Sequence, residues 1–322
     1  MGEDAFFRFL QKLGINTTRL RWRWVSWQNR WAGRKESVKL ARQHTTYQHK
    51  ICNECGGLMD GAEKTCPRCG AKAPSWTGQF IQRIFGLVFP QWGVFSSLLV
   101  MANLAMVLIG IGQFGIGNLT SPSSESLLRW GALFPPYFYL GDYWRLITYG
   151  YLHIGLLHIL FNLIVLIQVG PYLEREIGGA RFFSAYTLSL IGGGIADLIF
   201  RKGIFLVAGA SGALFGMIGF GIAYNHFLGG PTAQARRNFF LHWALYGFLF
   251  GIFVGADNVA HAGGLITGAL LGLWMEKEGM RRKAWTAFWN VVCAISIIVT
   301  VLSFVGMVFE IQLPRFIPMP QF

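Results

Sequence analysis

Residues 204–224, IFLVAGASGALFGMIGFGIAY, set Ser211 between glycines inside an apolar run. Gly209, Gly212, Gly216 and Gly219 form a ridge on which another helix backbone can approach closely. A second run, VAHAGGLITGALLGLWM at 259–275, carries His261 ahead of Gly264, Gly268 and Gly272. The two ridges predict neighbouring helices. In an uninterrupted helix Ser211 would lie about 100° from Gly212, off the centre of the ridge. A helix that begins near Ser211 removes the difficulty. The stretch from Ile204 to Ala208 then descends as irregular chain, which a bilayer tolerates only where protein or water covers its backbone.

Working outward, five more runs are long enough to span: 94–114, 151–170, 182–200, 239–256 and 287–309. Of 322 residues, 53% are hydrophobic and only 13% charged, too apolar for an ordinary soluble domain. The fold class expected is therefore an all-α polytopic membrane protein with seven helices. Net charge is +13, and the first 93 residues hold 15 of the 28 Lys and Arg, which predicts a cytoplasmic N-terminus. Arg201 and Lys202, on the outer side in that topology, run against the bias. MGEDAFFRFLQKL lacks the pattern of a cleaved secretory signal, and with no organelle address the chain fits a bacterial inner membrane. A long first outer loop, from about Gly115 to Gly150, is rich in Pro, Gly, Trp and Tyr and suits the membrane interface.

The N-terminal third is different. CNECGGLMDGAEKTCPRCG places Cys52, Cys55, Cys66 and Cys69 as two C-x2-C knuckles with ten residues between the pairs. Four thiolates so spaced suit tetrahedral Zn2+, with Gly56 and Gly70 relieving the turns. Two disulfides are the competing reading, and the cytoplasmic placement opposes them. Such a ribbon is structural and also offers a surface to a cytoplasmic protein partner. Before it, Trp24, Trp27 and Trp31 recur at helical spacing among Arg and Lys, a pattern for anionic lipid. Nucleic-acid contact ranks below it because the rest of the chain lies in the bilayer. Cys293 is read as packing. The boundaries drawn are 1–49 (basic, Trp-rich), 50–73 (zinc ribbon), 74–93 (linker), 94–311 (membrane domain) and 312–322 (tail).

Hydrogen-bonding side chains inside spans are costly and point to function. HIGLLHILFN supplies His153, His158 and Asn162. His158 and Asn162 are four apart and share a face, whereas helical periodicity turns His153 away from them. Ser211 and His261, at matching depth toward the outer ends of their spans, suggest a dyad in which the imidazole takes the hydroxyl proton. A helix N-terminus at Ser211 adds unpaired N–H groups and positive dipole, and His158 and Asn162 add donors for an oxyanion. No acid is clearly placed to orient the imidazole, since neither Asp257 nor Asp197 is evidently aimed at it. Small residues that serve helix packing alone are the competing account of the serine.

The set WRLITYGYLHIGLLHILFN, GASGALFG and AHAGGLITG, in this order on the second, fourth and sixth spans, resembles the rhomboid family of intramembrane serine proteases. That resemblance implies a six-helix core plus one C-terminal helix, acting on peptide bonds in or near transmembrane segments of client proteins, with no catalytic cofactor. It implies Ser211 as nucleophile, His261 as general base, and His158, Asn162 and the Ser211 main chain as oxyanion hole. Trp144 and Arg145 match the family's Trp-Arg pair in the first outer loop, and His153 a supporting position. Glu174 resembles the acid closing the cytoplasmic end of the second span. Phe215 stands where many members carry Tyr on the catalytic histidine, so altered tuning is expected. Two rivals remain: a non-catalytic relative that binds client helices for quality control, and a metalloenzyme using His153, His158 and His261. The first is opposed by the presence of both Ser211 and His261, the second by the lack of an HExxH helix.

Overall fold

The computed structural model describes residues 50–52, 57–60, 63–73, 93–278 and 282–312. Cys55, the basic Trp-rich segment, nearly all of the linker and the C-terminal tail lie outside the described residues. The chain divides into two compact units, residues 1–50 with 58–63, and residues 51–57 with 64–322. Two short strands are present, β1 (Lys50–Ile51) and β2 (Leu58–Met59). In the first unit, Asp60 N donates to Glu63 Oε2 at 2.8 Å, closing the turn after β2.

The second unit holds the long helices. These are α1 (Val94–Phe114), α2 (Leu156–Ile177), α3 (Gly179–Phe200), α4 (Ser211–Leu228), α5 (Gly230–Val254), α6 (Asn258–Glu278) and α7 (Arg282–Gln312). By length and composition α1, α2, α3 and the Trp285–Glu310 part of α7 suffice to cross a membrane. Their outward faces stay apolar and uncovered, as at Leu108 (67% exposed) and Leu302 (60%). Lipid is the solvent that makes such faces stable. The chain is a multi-pass membrane protein.

α4 is the axis of the bundle, buried along nearly its whole length and packed against α3, α5 and above all α6. The glycine ridges explain the closeness. A Cβ on Gly264 would run into the carbonyl oxygen of Gly212, and one on Gly268 into that of Gly216. Backbone meets backbone there, so only hydrogen fits.

α4 starts at Ser211, as its sequence requires. The chain ahead of it is irregular and is tied down at two residues: Val207 exchanges two hydrogen bonds with Leu133 (2.9 and 3.0 Å), and Gly209 N donates to Tyr149 O at 2.9 Å. Gly209 holds φ +147°, a conformation that side chains rarely adopt, and a Cβ there would lie 2.6 Å from His158 Cε1.

α2 corrects the sequence reading. It begins at Leu156, not 151, because Gly155 at φ +128° breaks the chain and lets it pass 2.9 Å from Thr120 O where a Cβ would stand. His153 therefore precedes the helix, and helical periodicity does not apply to it. Its ring meets that of His158 edge to face, centroids 5.2 Å apart.

At the other end of α2, the buried Glu174 carboxylate accepts from Phe95 N (3.0 Å), Ser96 N (2.8 Å) and Ser96 Oγ (2.7 Å). These are orphan donors of the first turn of α1, so one side chain caps its neighbour. The loop joining α1 to α2 is organised by Arg145, which is 2% exposed. Its Nη1 donates to Leu128 O (2.9 Å) and Ala132 O (3.0 Å), its Nε to Asp142 Oδ2 (3.1 Å), and its guanidinium lies over the Trp144 and Tyr137 rings. α7 supports the same loop: Trp144 packs on Gly306, and Phe304 meets Tyr151 edge-on at 5.2 Å.

Candidate active site

Ser211 opens α4, where the first N–H groups have no partner within the helix and the dipole is positive. One turn on, Phe215 lies flat on the imidazole of His261, centroids 4.1 Å apart and planes within 14°. Phe248 closes the imidazole from α5 at 6.1 Å. His261 is 4% exposed. Since Ser211 and Phe215 share a face of α4, and Gly212 lies against Ala260 O, the imidazole sits beside the turn that carries the hydroxyl.

Hydrogen bonds around the two histidines assign complementary tautomers. His261 Nδ1 is 3.1 Å from Asn258 Oδ1. An amide oxygen only accepts, so Nδ1 carries the proton and Nε2 is left as a base. His158 is the reverse: its Nδ1 accepts from Ile154 N at 3.3 Å, which puts the proton on Nε2. That nitrogen lies 2.9 Å from where a Gly209 Cβ would be, and Ser211 Oγ 3.6 Å from the same point. A donor and a hydroxyl thus border the glycine together. Asn162 is 6% exposed, and its Nδ2 donates to His158 O at 2.9 Å, leaving the amide's second N–H for another acceptor.

A rhomboid domain model matches residues 140–278. This part of the chain is a rhomboid domain. The chain is 29% identical over 229 residues to RHOMBOID-like protein 4 of Arabidopsis thaliana, covering 61% of this chain and 54% of that protein. With RHOMBOID-like protein 1 of the same plant the identity is 36% over 217 residues, 59% of this chain and 54% of the relative. The rhomboid protease GluP of Bacillus subtilis (strain 168) is 35% identical over 173 residues, 50% of this chain and 32% of that protein. The chain thus spans from about a third to about half the length of these relatives.

Asn258 is the residue of this rhomboid domain that sequence reading missed. The signal was present in its spacing, three before His261 on one helix and so on one face. Asp257, which the sequence left without a clear aim at the imidazole, is committed elsewhere. Its Oδ1 accepts from Val259 N and Ala260 N, both at 3.2 Å, capping α6, and its Oδ2 pairs with Arg201. Arg201, which ran against the charge bias expected from the sequence, is thus engaged by a carboxylate. Asp197 is wholly buried.

In the cysteine segment, the sulfurs of Cys52, Cys66 and Cys69 lie within 4.8 Å of one another. Cys66 and Cys69 belong to one knuckle, closed by Gly70 N donating to Cys66 O at 2.8 Å with Gly70 at φ +69°. No disulfide joins the described cysteines. Sulfurs around a tetrahedral Zn2+ at about 2.3 Å would stand apart by a similar distance, so these three cysteines could hold a metal ion. The fourth candidate, Cys55, lies outside the described residues. Cys293 is buried in α7, as expected of packing.

Proposed function

We propose that the rhomboid domain is an intramembrane serine endopeptidase in which Ser211 attacks a peptide carbonyl and His261 is its base. The observation that carries this reading is the pair of tautomers: an acceptor nitrogen on His261 beside the Ser211 turn, and a donor nitrogen on His158 across Gly209. His261 Nε2 takes the Oγ proton as the C–O bond forms, then passes it to the leaving amine. The oxyanion collects N–H groups from the Ser211 main chain, His158 Nε2 and the second N–H of Asn162, all fixed before the reaction. Water then hydrolyses the acyl-enzyme by the same route. Asn258 orients the imidazole. No cofactor takes part.

Clients on this reading are single-span membrane proteins whose helix opens near the outer face, because a peptide bond within a regular helix is shielded by its own hydrogen bonds. The N-terminus is cytoplasmic, and the cysteine segment at 50–73 is a structural zinc ribbon facing a cytoplasmic partner. Membrane vesicles holding the full chain and a single-span client provide the test. Ser211→Ala should leave the client intact and take no fluorophosphonate label, while the parent chain cleaves the client and is labelled. Equal cleavage by the two would reject the mechanism.

A further inference from the structure

Beneath the loop that joins α1 to α2 lies a cavity of about 30 Å³, walled by residues that include Met106, Gly110, Asn118, Leu127, Trp130 and His153. Most of this wall is apolar. Two residues of this wall nevertheless carry buried polar atoms with no hydrogen-bond partner among the described residues: both ring nitrogens of His153, and Trp130 Nε1. His153 is 7% exposed. An indole N–H only donates, and a neutral imidazole offers one donor and one acceptor. The neighbouring imidazole of His158 meets the ring edge to face and forms no hydrogen bond with it.

Buried polar groups of this kind are paired by water when no protein atom serves, provided there is space. A water needs roughly 10–15 Å³ measured in this way, so there is room for one or two. An apolar occupant would fit the volume and leave all three nitrogens unpaired. We propose that this cavity is a built hydration site, in which water accepts from Trp130 Nε1 and donates to, or accepts from, the imidazole of His153. The water chain joins the short helix Ser124–Arg129, whose C-cap is Trp130, to the start of α2. It holds the His153 ring in place, and with it the edge that rests on His158.

This proposal concerns water in the fold and stands whether or not Ser211 is a nucleophile. Its test is millisecond X-ray radiolysis of the full chain in nanodiscs, in ¹⁸O-water, with oxidised residues read by mass spectrometry. Hydroxyl radicals made from bound water label what they touch. Met106, buried on the cavity wall, should take up label well above Met217, buried in α4 away from the cavity. His153→Phe removes the polar wall, and Met106 label should then be lost, down to the Met217 level. Two results would overturn the site: Met106 labelled no faster than Met217 in the parent chain, or Met106 label unchanged in His153→Phe, which would trace the radicals to bulk solvent. Met106 labelled no faster than Met217 in the parent chain overturns the site even if the variant does not fold.

Discussion

The edge of Phe215 points at Gly247: its Cζ lies 2.5 Å from where a Cβ on that glycine would stand, while the ring face covers His261. A para-hydroxyl there would be driven into the backbone of α5. Phe at this position is thus matched to a glycine on the facing helix. Phe215→Tyr should lower thermal stability by about 1–3 kcal/mol through overpacking. It should not raise turnover. Thermal unfolding in detergent and cleavage of a single-span client, measured on one preparation, check both statements.

Asn258 holds one nitrogen of His261, so its loss should act on turnover more than on folding. Asn258→Ala should lower kcat roughly tenfold, the equivalent of one hydrogen bond worth about 1–1.5 kcal/mol. KM should change little. Asn258→Asp keeps an acceptor oxygen and should retain more activity than the alanine variant. Wild-type kcat in Asn258→Ala would remove the orienting role.

The glycine contacts between α4 and α6 give a graded expectation. Gly264→Ala and Gly268→Ala each set a methyl group on a carbonyl of α4 and should cost about 1–3 kcal/mol or more. Gly112→Ala in α1 meets nothing within 4 Å and should cost nothing. Unfolding midpoints of the three variants, compared side by side, separate a packing seam from glycines that merely suit a membrane.

Removing the Glu174 cap strands donors at the start of α1. Glu174→Ala should destabilise the domain by about 1–2 kcal/mol, in the range of a lost N-cap. Amide exchange at Phe95 and Ser96 should rise with it. Unchanged exchange would show that other groups cap the helix.

Metal content tests the cysteine segment without reference to proteolysis. The purified chain should hold about one zinc ion, as four closed ligands imply. Cys66→Ser should lose it, and Cys293→Ser should keep it. Zinc retained by Cys66→Ser would argue against the site.

Chemical type and one-dimensional spacing settled much of this protein in advance. Hydropathy marked α1 residue for residue, because a span's length follows from bilayer thickness. The glycine rows on α4 and α6 fixed which helices meet, since only backbone without Cβ can approach so closely. The start of α4 at Ser211 was legible because a continuous helix would have turned the hydroxyl off the ridge. Other relationships join residues distant in the chain, and local pattern carries no record of them. His153 came beside His158 only because Gly155 ends the helix, which a periodic reading could not foresee. Phe215 meets Gly247, and Trp130 and His153 share one cavity, because packing in three dimensions sets those distances. Tautomers belong to the same class: a histidine's proton goes where its neighbours leave room for a hydrogen bond, and only the folded chain names the neighbours.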